Sequence, residues 1–310
     1  MNRFLKVSSS PHINSKESTN TIMRDVLIAL VPAAGVALYI FGIRAFWLLL
    51  TCIGSSVLAE FLFTKITKRQ TSIMDLSAAV TGILLAFNLP VTTPVWVAAV
   101  GSAFAIIIVK CIFGGVGQNI VNPALAARAF LLAAYPEHMT GWVLDGMSTA
   151  TPLGMLKSGV SADLPSLMDV FLGNVGGCIG EVSVLALLIG AAYLLYRRII
   201  SWHIPVTYIA TVAVITFLFG RSAFNVEQVV YELCAGGLML GAFFMATDYT
   251  TSPMTKKGQV IFGIGCGVIT AVIRLFGGYA EGVSYSILIM NLLVPMIDKY
   301  TKNRVFGEAK

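Results

Sequence analysis

Apolar residues in this chain come in runs too long, and too free of charge, for the surface of a soluble fold. Ten such runs follow a polar arm. Five lie at 26–41, 45–63, 76–89, 95–113 and 121–135, and five more at 175–196, 204–219, 229–246, 260–276 and 284–297. A helix needs ~20 residues to cross the hydrocarbon of a bilayer, and only helices and closed barrels keep every backbone group satisfied there. The pattern therefore predicts an all-α polytopic membrane protein of about ten transmembrane helices, some short or broken. It divides into an arm (1–22), a first block of five helices (23–135), a polar interval (136–174), a second block (175–298) and a tail (299–310). At the centre of the interval stands Asp145-Gly146-Met147-Ser148-Thr149-Ala150-Thr151-Pro152-Leu153. Its glycine and proline mark a turn crowded with small hydroxyl residues.

Composition hardens the membrane assignment. Hydrophobic residues make up 57% of the 310 and charged residues only 12%, against about a quarter in soluble proteins; mean hydropathy is +0.83. Met1 to Asn20 is polar, so the first apolar run is expected to remain as a membrane anchor and not to be cleaved as a signal peptide. Cys52, Cys111, Cys178, Cys234 and Cys266 are scattered singly, without metal-ligand spacing, and read as small buried hydrophobes. His12, His138 and His203 are equally isolated.

The net charge of +6 follows from topology and does not point to nucleic acid. With ten spans, one face collects Arg3, Lys6, Lys16, Arg24, Lys65, Lys68, Arg69, Arg197, Arg198, Lys256, Lys257, Lys299, Lys302, Arg304 and Lys310. The other has Arg44, Lys157 and Arg221, with Glu137, Asp145, Asp163 and Asp169 in the central interval. The positive-inside rule then puts both termini in the cytoplasm and the interval outside.

The two blocks echo each other. Asp25-Val26-Leu27 opens one as Glu181-Val182-Ser183 opens the other. Thr81-Gly82-Ile83-Leu84 answers Gly236-Gly237-Leu238-Met239, and Phe113-Gly114-Gly115 answers Phe276-Gly277-Gly278. Two copies of five spans are necessarily inverted relative to each other. Segments that break the rules of a lipid-facing helix recur at matching places: Asn88-Leu89-Pro90 against Ala246-Thr247-Asp248, and Asn122-Pro123 against Asn291 and Pro295. Such breaks point to a site at the repeat interface. There Asn119, Asn122 and Asp248 offer amides and a carboxylate for a ligand, and Arg128 follows the Asn-Pro step by one and a half turns.

Other ionisable residues fall in or beside the runs: Glu60, Lys110, Glu181, Glu232 and Arg274. Lys110 and Arg274, near span ends, are expected to snorkel to the interface. Glu281 outside and Asp298 inside are candidates for attracting cations, although Asp298 beside Lys299 also reads as a solvated helix end. Gly114-Gly115-Val116-Gly117 and Gly263-Ile264-Gly265-Cys266-Gly267 lack the strand–turn–helix setting of a nucleotide loop, and no nucleophile–base–acid set emerges.

These motifs carry a resemblance that spans nearly the whole chain. Ser10-Pro11-His12, Phe113-Gly114-Gly115, Asn122-Pro123-Ala124-Leu125, Gly180-Glu181-Val182-Ser183 and Phe243-Phe244-Met245-Ala246-Thr247-Asp248, in this order and with the central loop, are similar to one family. It comprises the RnfD proteins of Rnf electron-transport complexes and, more distantly, the NqrB proteins of the Na+-translocating NADH:quinone reductase. In that family the last threonine of an S-x-A-T motif is joined to FMN through a phosphoester, made by a flavin transferase from FAD. Carried over, that residue is Thr151, with Asp145 and Ser148 in the same loop. Thr149 stands where relatives often have glycine, which raises the question of a competing acceptor.

A second flavin, non-covalent riboflavin, is also associated with the family. Asn119, Asn122, Arg128 and Asp248 are the residues that the helix breaks offer for it. The implied role is electron relay within a complex that moves electrons between ferredoxin and NAD+ while pumping Na+ or H+. Its partners would be the second covalent-FMN subunit, the iron–sulfur membrane subunits, the flavin transferase and the lipid of a bacterial inner membrane. NAD binding would fall to other subunits. A solute channel or secondary transporter is the alternative from another class, since inverted halves with broken helices are common there. The quinone-reducing relative fits the fold equally, although this chain lacks that relative's longer N-terminal region.

Overall fold

The computed structural model describes residues 18–68, 73–144, 147–159, 164–181, 183–221 and 224–302. In the first block, α1 (Thr19–Phe41) and α2 (Ile43–Ile66) are full-length helices. They are followed by the short α3 (Ser77–Phe87), by α4 (Val95–Phe104), which continues as a π-helix through Cys111, and by α5 (Pro123–Ala134). The interval holds α6 (Pro136–Met139), a two-residue hairpin β1 (Val143–Leu144) to β2 (Met147–Ser148), α7 (Pro152–Ser158) and α8 (Leu167–Leu172). In the second block come α9 (Val184–Tyr196), α10 (His203–Phe219), α11 (Val226–Cys234) and α12 (Leu238–Leu240), which runs on as a π-turn to Met245. The last two helices are α13 (Lys256–Phe276) and α14 (Val283–Thr301).

Each expected apolar run contains a helix, so the chain is an all-α multi-pass membrane protein. Helical length is unevenly distributed. Among the described residues α1, α2 and α13 are long and apolar enough to span unaided, and α11 with the 238–245 segment makes a fourth, bent by 67°. The run at 175–196 is helical only from Val184; its described residues before that are bends and turns around one bridge residue, Cys178. The run at 76–89 stops being helical at Phe87. These two non-helical stretches meet: Pro90 and Cys178 form an antiparallel bridge. The Ile179 N–H donates to Leu89 O at 3.0 Å and the Gly180 N–H to Phe87 O at 2.9 Å. Non-helical backbone at membrane depth survives only where protein satisfies it, and here each segment bonds to the other.

α1 packs along α9, α2 against α3 and α4, α10 along α13, and α5 against α14. The first helices of the two blocks thus touch each other, as do the last. One face gathers both described ends: Arg197 pairs with Asp25 at 2.9 Å, Ser201 bonds Gln259 at 2.7 Å, and Thr255 bonds Thr301 at 2.7 Å. Small residues permit the tightest crossings. A Cβ on Gly190 of α9 would collide with Ala29 O, a backbone atom of α1 that cannot swing away. Gly190→Ala is therefore expected to cost about 1–3 kcal/mol, the usual penalty of overpacking. Gly35→Ala, which meets nothing within 4 Å, is expected to leave the detergent melting temperature unchanged.

The ionisable residues of the runs behave differently from the expectation of snorkelling. Lys110 and Arg274 are 3% and 4% exposed. Lys110 Nζ donates to Glu60 Oε1 at 2.8 Å and Ser77 Oγ at 2.7 Å. Arg274 Nη1 donates to Glu232 O at 2.6 Å and Nη2 to Ala235 O at 3.4 Å, capping the carbonyls freed where α11 breaks. A partner within the bundle spares each side chain the reach to the interface. The five cysteines are buried and none is in a disulfide, in line with their reading as small buried hydrophobes.

Candidate functional site

Two cavities open toward opposite faces of the bundle, and the broken segments form the floor between them. The first adjoins the central interval. Thr151 is the N-cap of α7: its Oγ1 accepts the Gly154 N–H at 3.1 Å, and Pro152 occupies the first helical position, where a missing N–H costs nothing. Lys157 Nζ, further along α7, donates to Tyr279 O at 2.6 Å and to Gly277 O, tying this helix to the α13–α14 connector. The cavity that Thr151 borders encloses about 750 Å³ counting its mouth, and is walled by Leu132, Met139, Trp142, Tyr279, Tyr285 and, at its base, Arg128 with Glu281 and Ser284. The rings of Tyr279 and Tyr285 lie 5.4 Å apart, tilted by 31°. Thr149 is placed otherwise. Its Oγ1 turns inward against Gly176, buried and without a hydrogen-bond partner. Of the two threonines, only Thr151 borders the cavity.

Arg128 occupies the base. Nη1 donates to Asn88 Oδ1 at 2.9 Å, Ser284 Oγ at 3.0 Å and Glu181 Oε1 at 3.3 Å; Nη2 donates to Glu281 Oε2 at 2.9 Å and Cys178 Sγ at 3.7 Å. One planar cation thereby joins α5, the end of α3, the non-helical segment before α9, and the start of α14. Burial alone would raise the Glu281 carboxyl; Arg128 outweighs that and, with Glu181 and Arg274, holds it below the ordinary carboxylate range. Glu281 is therefore tied into an ion pair and not free to attract a passing cation. A smaller cleft, lined by Thr151, Gly176, Glu181, Gly236 and Glu281, lies alongside.

The second cavity, about 770 Å³, opens on the face that holds both described ends. Met23 and Val26 of α1, Leu84, Leu194, Phe243 and Phe244 make it largely apolar, and Ser77, Lys110, Asn119, Asn122, Thr247 and Asp248 supply polar groups. Asn119 Nδ2 donates to Thr250 Oγ1 at 2.9 Å; Asp248 Oδ2 accepts from Thr250 Oγ1 at 2.8 Å and Thr251 Oγ1 at 3.1 Å. Burial pushes the Asp248 carboxyl up, and those hydroxyls oppose the shift. Asn122 is largely committed, with one amide N–H left over. Its Oδ1 caps α5 by accepting from Ala124 and Leu125 N–H at 3.0 and 3.3 Å, while Nδ2 donates to Met245 O at 3.3 Å. A polar run crosses from one cavity to the other: Arg128 to Asn88, Asn88 Nδ2 to Met245 Sδ at 3.7 Å, and Met245 O to Asn122.

Likeness to known proteins runs the whole length of this two-cavity bundle. The model of the NQR2, RnfD, RnfE family matches residues 6–307. The chain belongs to this family. It is 54% identical over 312 residues to the D subunit of the Na(+)-translocating ferredoxin:NAD(+) oxidoreductase complex of Acetobacterium woodii, covering 99% of this chain and 96% of that protein. It is 45% identical over 319 residues to the D subunit of the proton-translocating ferredoxin:NAD(+) oxidoreductase complex of Clostridium ljungdahlii, covering 98% and 96%. The D subunit of the ion-translocating oxidoreductase complex of Aliivibrio salmonicida is 35% identical over 348 residues, covering 98% and 99%.

Within this family member, the residues singled out from sequence separate into two groups. Asn119, Asn122 and Asp248 converge on one cavity. Arg128 does not join them; it lies at the base of the other, with Thr151. Asp145 lies outside the described residues, as does the Ser10-Pro11-His12 motif, and of Ser148 only the backbone in β2 is described. Asp298 accepts the Met254 N–H at 3.2 Å, and among the described residues no cluster of His, Cys, Asp or Glu could hold a metal ion. Sequence reasoning missed Trp142, Tyr279 and Tyr285 as cavity walls. It also read Asn122-Pro123 as a break, although an Asn or Thr followed by Pro is a helix-start signal, and Thr151-Pro152 repeats it.

Proposed function

We propose that this chain is the membrane subunit of an ion-translocating ferredoxin:NAD+ oxidoreductase complex, and that it carries FMN joined through a phosphoester to Thr151. The observation that carries the second part is the contrast between the two loop threonines. Thr151 offers its hydroxyl at the rim of an aromatic-walled cavity, whereas the Thr149 hydroxyl is packed against Gly176. The residues present suit an isoalloxazine: aromatic and apolar walls with a cation at the base. Relatives at 54% and 45% identity, named as the D subunits of such complexes, support the assembly.

When bound, the flavin supplies the one-electron and two-electron chemistry that no side chain here can perform. The chain's own residues do the rest. Thr151 fixes the group at its phosphate end, so that no dissociation equilibrium competes with turnover. Trp142, Tyr279 and Tyr285 exclude water from one end of the cavity, and Arg128 sets a positive charge at its base.

The opposite cavity is the proposed seat of a non-covalent riboflavin. Asn119 and Asp248 face it as hydrogen-bonding groups, and Asn122 holds its floor. The two blocks are read as inverted repeats, which the mutual contacts of α1 with α9 and of α5 with α14 support. The sequence charge asymmetry supports cytoplasmic termini and an exterior flavin loop in a bacterial inner membrane. Other subunits of the complex are the partners, including a second covalent-FMN subunit, the iron–sulfur subunits and, for maturation, a flavin transferase.

Co-expression with a flavin transferase, followed by a denaturing gel under ultraviolet light, tests the attachment. The wild-type band is expected to fluoresce, Thr149→Ala to fluoresce equally, and Thr151→Ala to be dark. A dark wild-type band, or a bright Thr151→Ala band, overturns the assignment.

A further inference from the structure

The cluster beneath the Thr151 cavity holds more acid than it needs for an ion pair. Arg128 contacts both Glu181 and Glu281, at 3.3 and 2.9 Å, so one guanidinium draws the two carboxyl groups together. Two ionised carboxylates held on one cation repel each other, and a proton taken up by either turns that repulsion into a hydrogen bond. The side chains are differently accessible. Glu281 is 17% exposed and lines the Thr151 cavity, whereas Glu181 is 4% exposed and reaches only the smaller cleft. Both sit over the break in the α11–α12 pair: a Cβ on Gly236 would lie 2.7 Å from Glu281 Oε1, and one on Gly237 would collide with Glu181 Oε1. Two glycines in sequence leave room for the two carboxyls.

Among the described residues, the charged and titratable groups packed around the pair are few. Arg128 comes from α5, Cys178 from the non-helical segment before α9, Cys234 from α11, Arg274 from α13 at longer range, Tyr279 from the α13–α14 turn and Tyr285 from α14. Arg274 spends its bonds on Glu232 O and Ala235 O. Glu181 and Glu281 therefore share Arg128 as the one cation in ion-pair contact with them among the described residues, an uneven balance in a medium that tolerates no uncompensated charge.

We propose that Glu181 and Glu281 form a redox-linked proton-binding site, taking up one proton as the cofactor in the Thr151 cavity gains an electron and releasing it on re-oxidation. This rests on the reading of Thr151 as the flavin anchor. The balance is simple. An electron arrives from a neighbouring carrier of the complex and adds one negative charge above Arg128. That charge draws on the same cation as the carboxylates, so their hold on a proton tightens. One proton from water at the cavity mouth then bonds to a carboxylate oxygen, by way of Glu281 and on to Glu181. When the electron leaves to the next carrier, the O–H bond breaks and the proton returns to water. Two carboxyls joined by a shared proton titrate as a unit.

The test uses the intact complex with its flavin attached, and reads infrared difference spectra between oxidised and reduced states together with the pH dependence of the flavin midpoint potential. The wild type is expected to show a redox-dependent protonated-carboxyl band, shifted in heavy water, and a potential that falls as pH rises. In Glu181→Gln the band is lost and the potential flattens against pH; in Glu281→Gln the band is altered and appears more slowly after reduction. Should Glu181→Gln not accumulate, Glu181→Asp keeps the acid and is expected to move the band. A wild type without a carboxyl band, or variants whose band and pH dependence match the wild type, overturns the proposal. In-gel fluorescence of the same samples separates the two readings: a bright band without the carboxyl signal sinks the proton site alone, and a dark band sinks the anchor.

Discussion

Arg128→Leu is expected to strip this protein of most of its folded population in detergent. The guanidinium is 13% exposed and satisfies five acceptors on three separate elements besides its own helix. Removing it leaves Glu181 and Glu281 buried against each other with no local cation in contact. Breaking a buried pair from one side costs about 3–5 kcal/mol, and a typical domain has only about 5–15 kcal/mol in total. Arg128→Lys is expected to fall between, because a single ammonium cannot serve the partners of a planar fork.

The same geometry fixes a pH dependence. Glu281 is depressed in the folded state, mainly by Arg128 working against burial. A depressed carboxyl contributes stability above its unfolded value of about 4.3, and that stability is lost as pH falls through the lower folded value. The wild-type melting temperature is thus expected to drop on acidification below about pH 4. Glu281→Gln should start lower and show a flatter acid limb. An Arg128→Leu protein that melts with the wild type would show that the cluster does not hold the broken segments together.

What could be read from the sequence was set by distance along the chain. Hydropathy located all ten helical regions because apolar length is a local property, and the N-terminal ends at Val95 and His203 fall within a residue of expectation. It failed where apolar composition continued through non-helical backbone. Residues 175–181 sit in an apolar run, but they are not helical, and Ile179 and Gly180 bond to Leu89 and Phe87 of the other block. A pairing across ninety residues leaves no local trace. The ion pairs were hidden for the same reason. Glu60, Lys110, Arg128, Glu181 and Glu281 were each conspicuous as costly charges, but which cation met which acid required the fold. Snorkelling was the wrong expectation for Lys110 because hydropathy counts residues along one helix and cannot see Glu60 on the next.

The two cavities show the same division. Asn119, Asn122 and Asp248 stood out as polar residues at matching breaks, and they do converge. Arg128, one turn beyond Ala124, points the other way, toward Thr151, a distinction that depends on the azimuth of α5 against α14. The aromatic walls Trp142, Tyr279 and Tyr285 carry no sequence signal of their own, since tyrosine and tryptophan are ordinary at a membrane surface. Thr149 and Thr151 are alike in composition; only the N-cap bond of Thr151 and the packing of Thr149 on Gly176 tell them apart.

Lys110→Met is expected to destabilise the protein by about 3–5 kcal/mol, the cost of stranding a buried partner, and Glu60→Leu in the same background should restore most of it. Lys110 and Glu60 are 3% and 1% exposed and 2.8 Å apart, on a π-helical turn and its neighbour α2. Buried ion pairs are often matched in stability by apolar residues of similar volume, so the pair is poorly explained as a stabilising device. π-turns are frequent at functional sites, and Lys110 is the only cationic side chain lining the second cavity among the described residues. A cation there would favour a flavin that gains negative charge on reduction, at low dielectric where it counts most. The double variant is therefore expected to melt like the wild type while losing non-covalent flavin, measured as flavin released into the supernatant on denaturation; the covalent band at Thr151 should persist. A double variant that keeps its full complement of releasable flavin would confine the pair to a structural role. One that stays unstable would mean that Ser77 Oγ, 2.7 Å from Lys110 Nζ, depends on the ammonium more than Glu60 does.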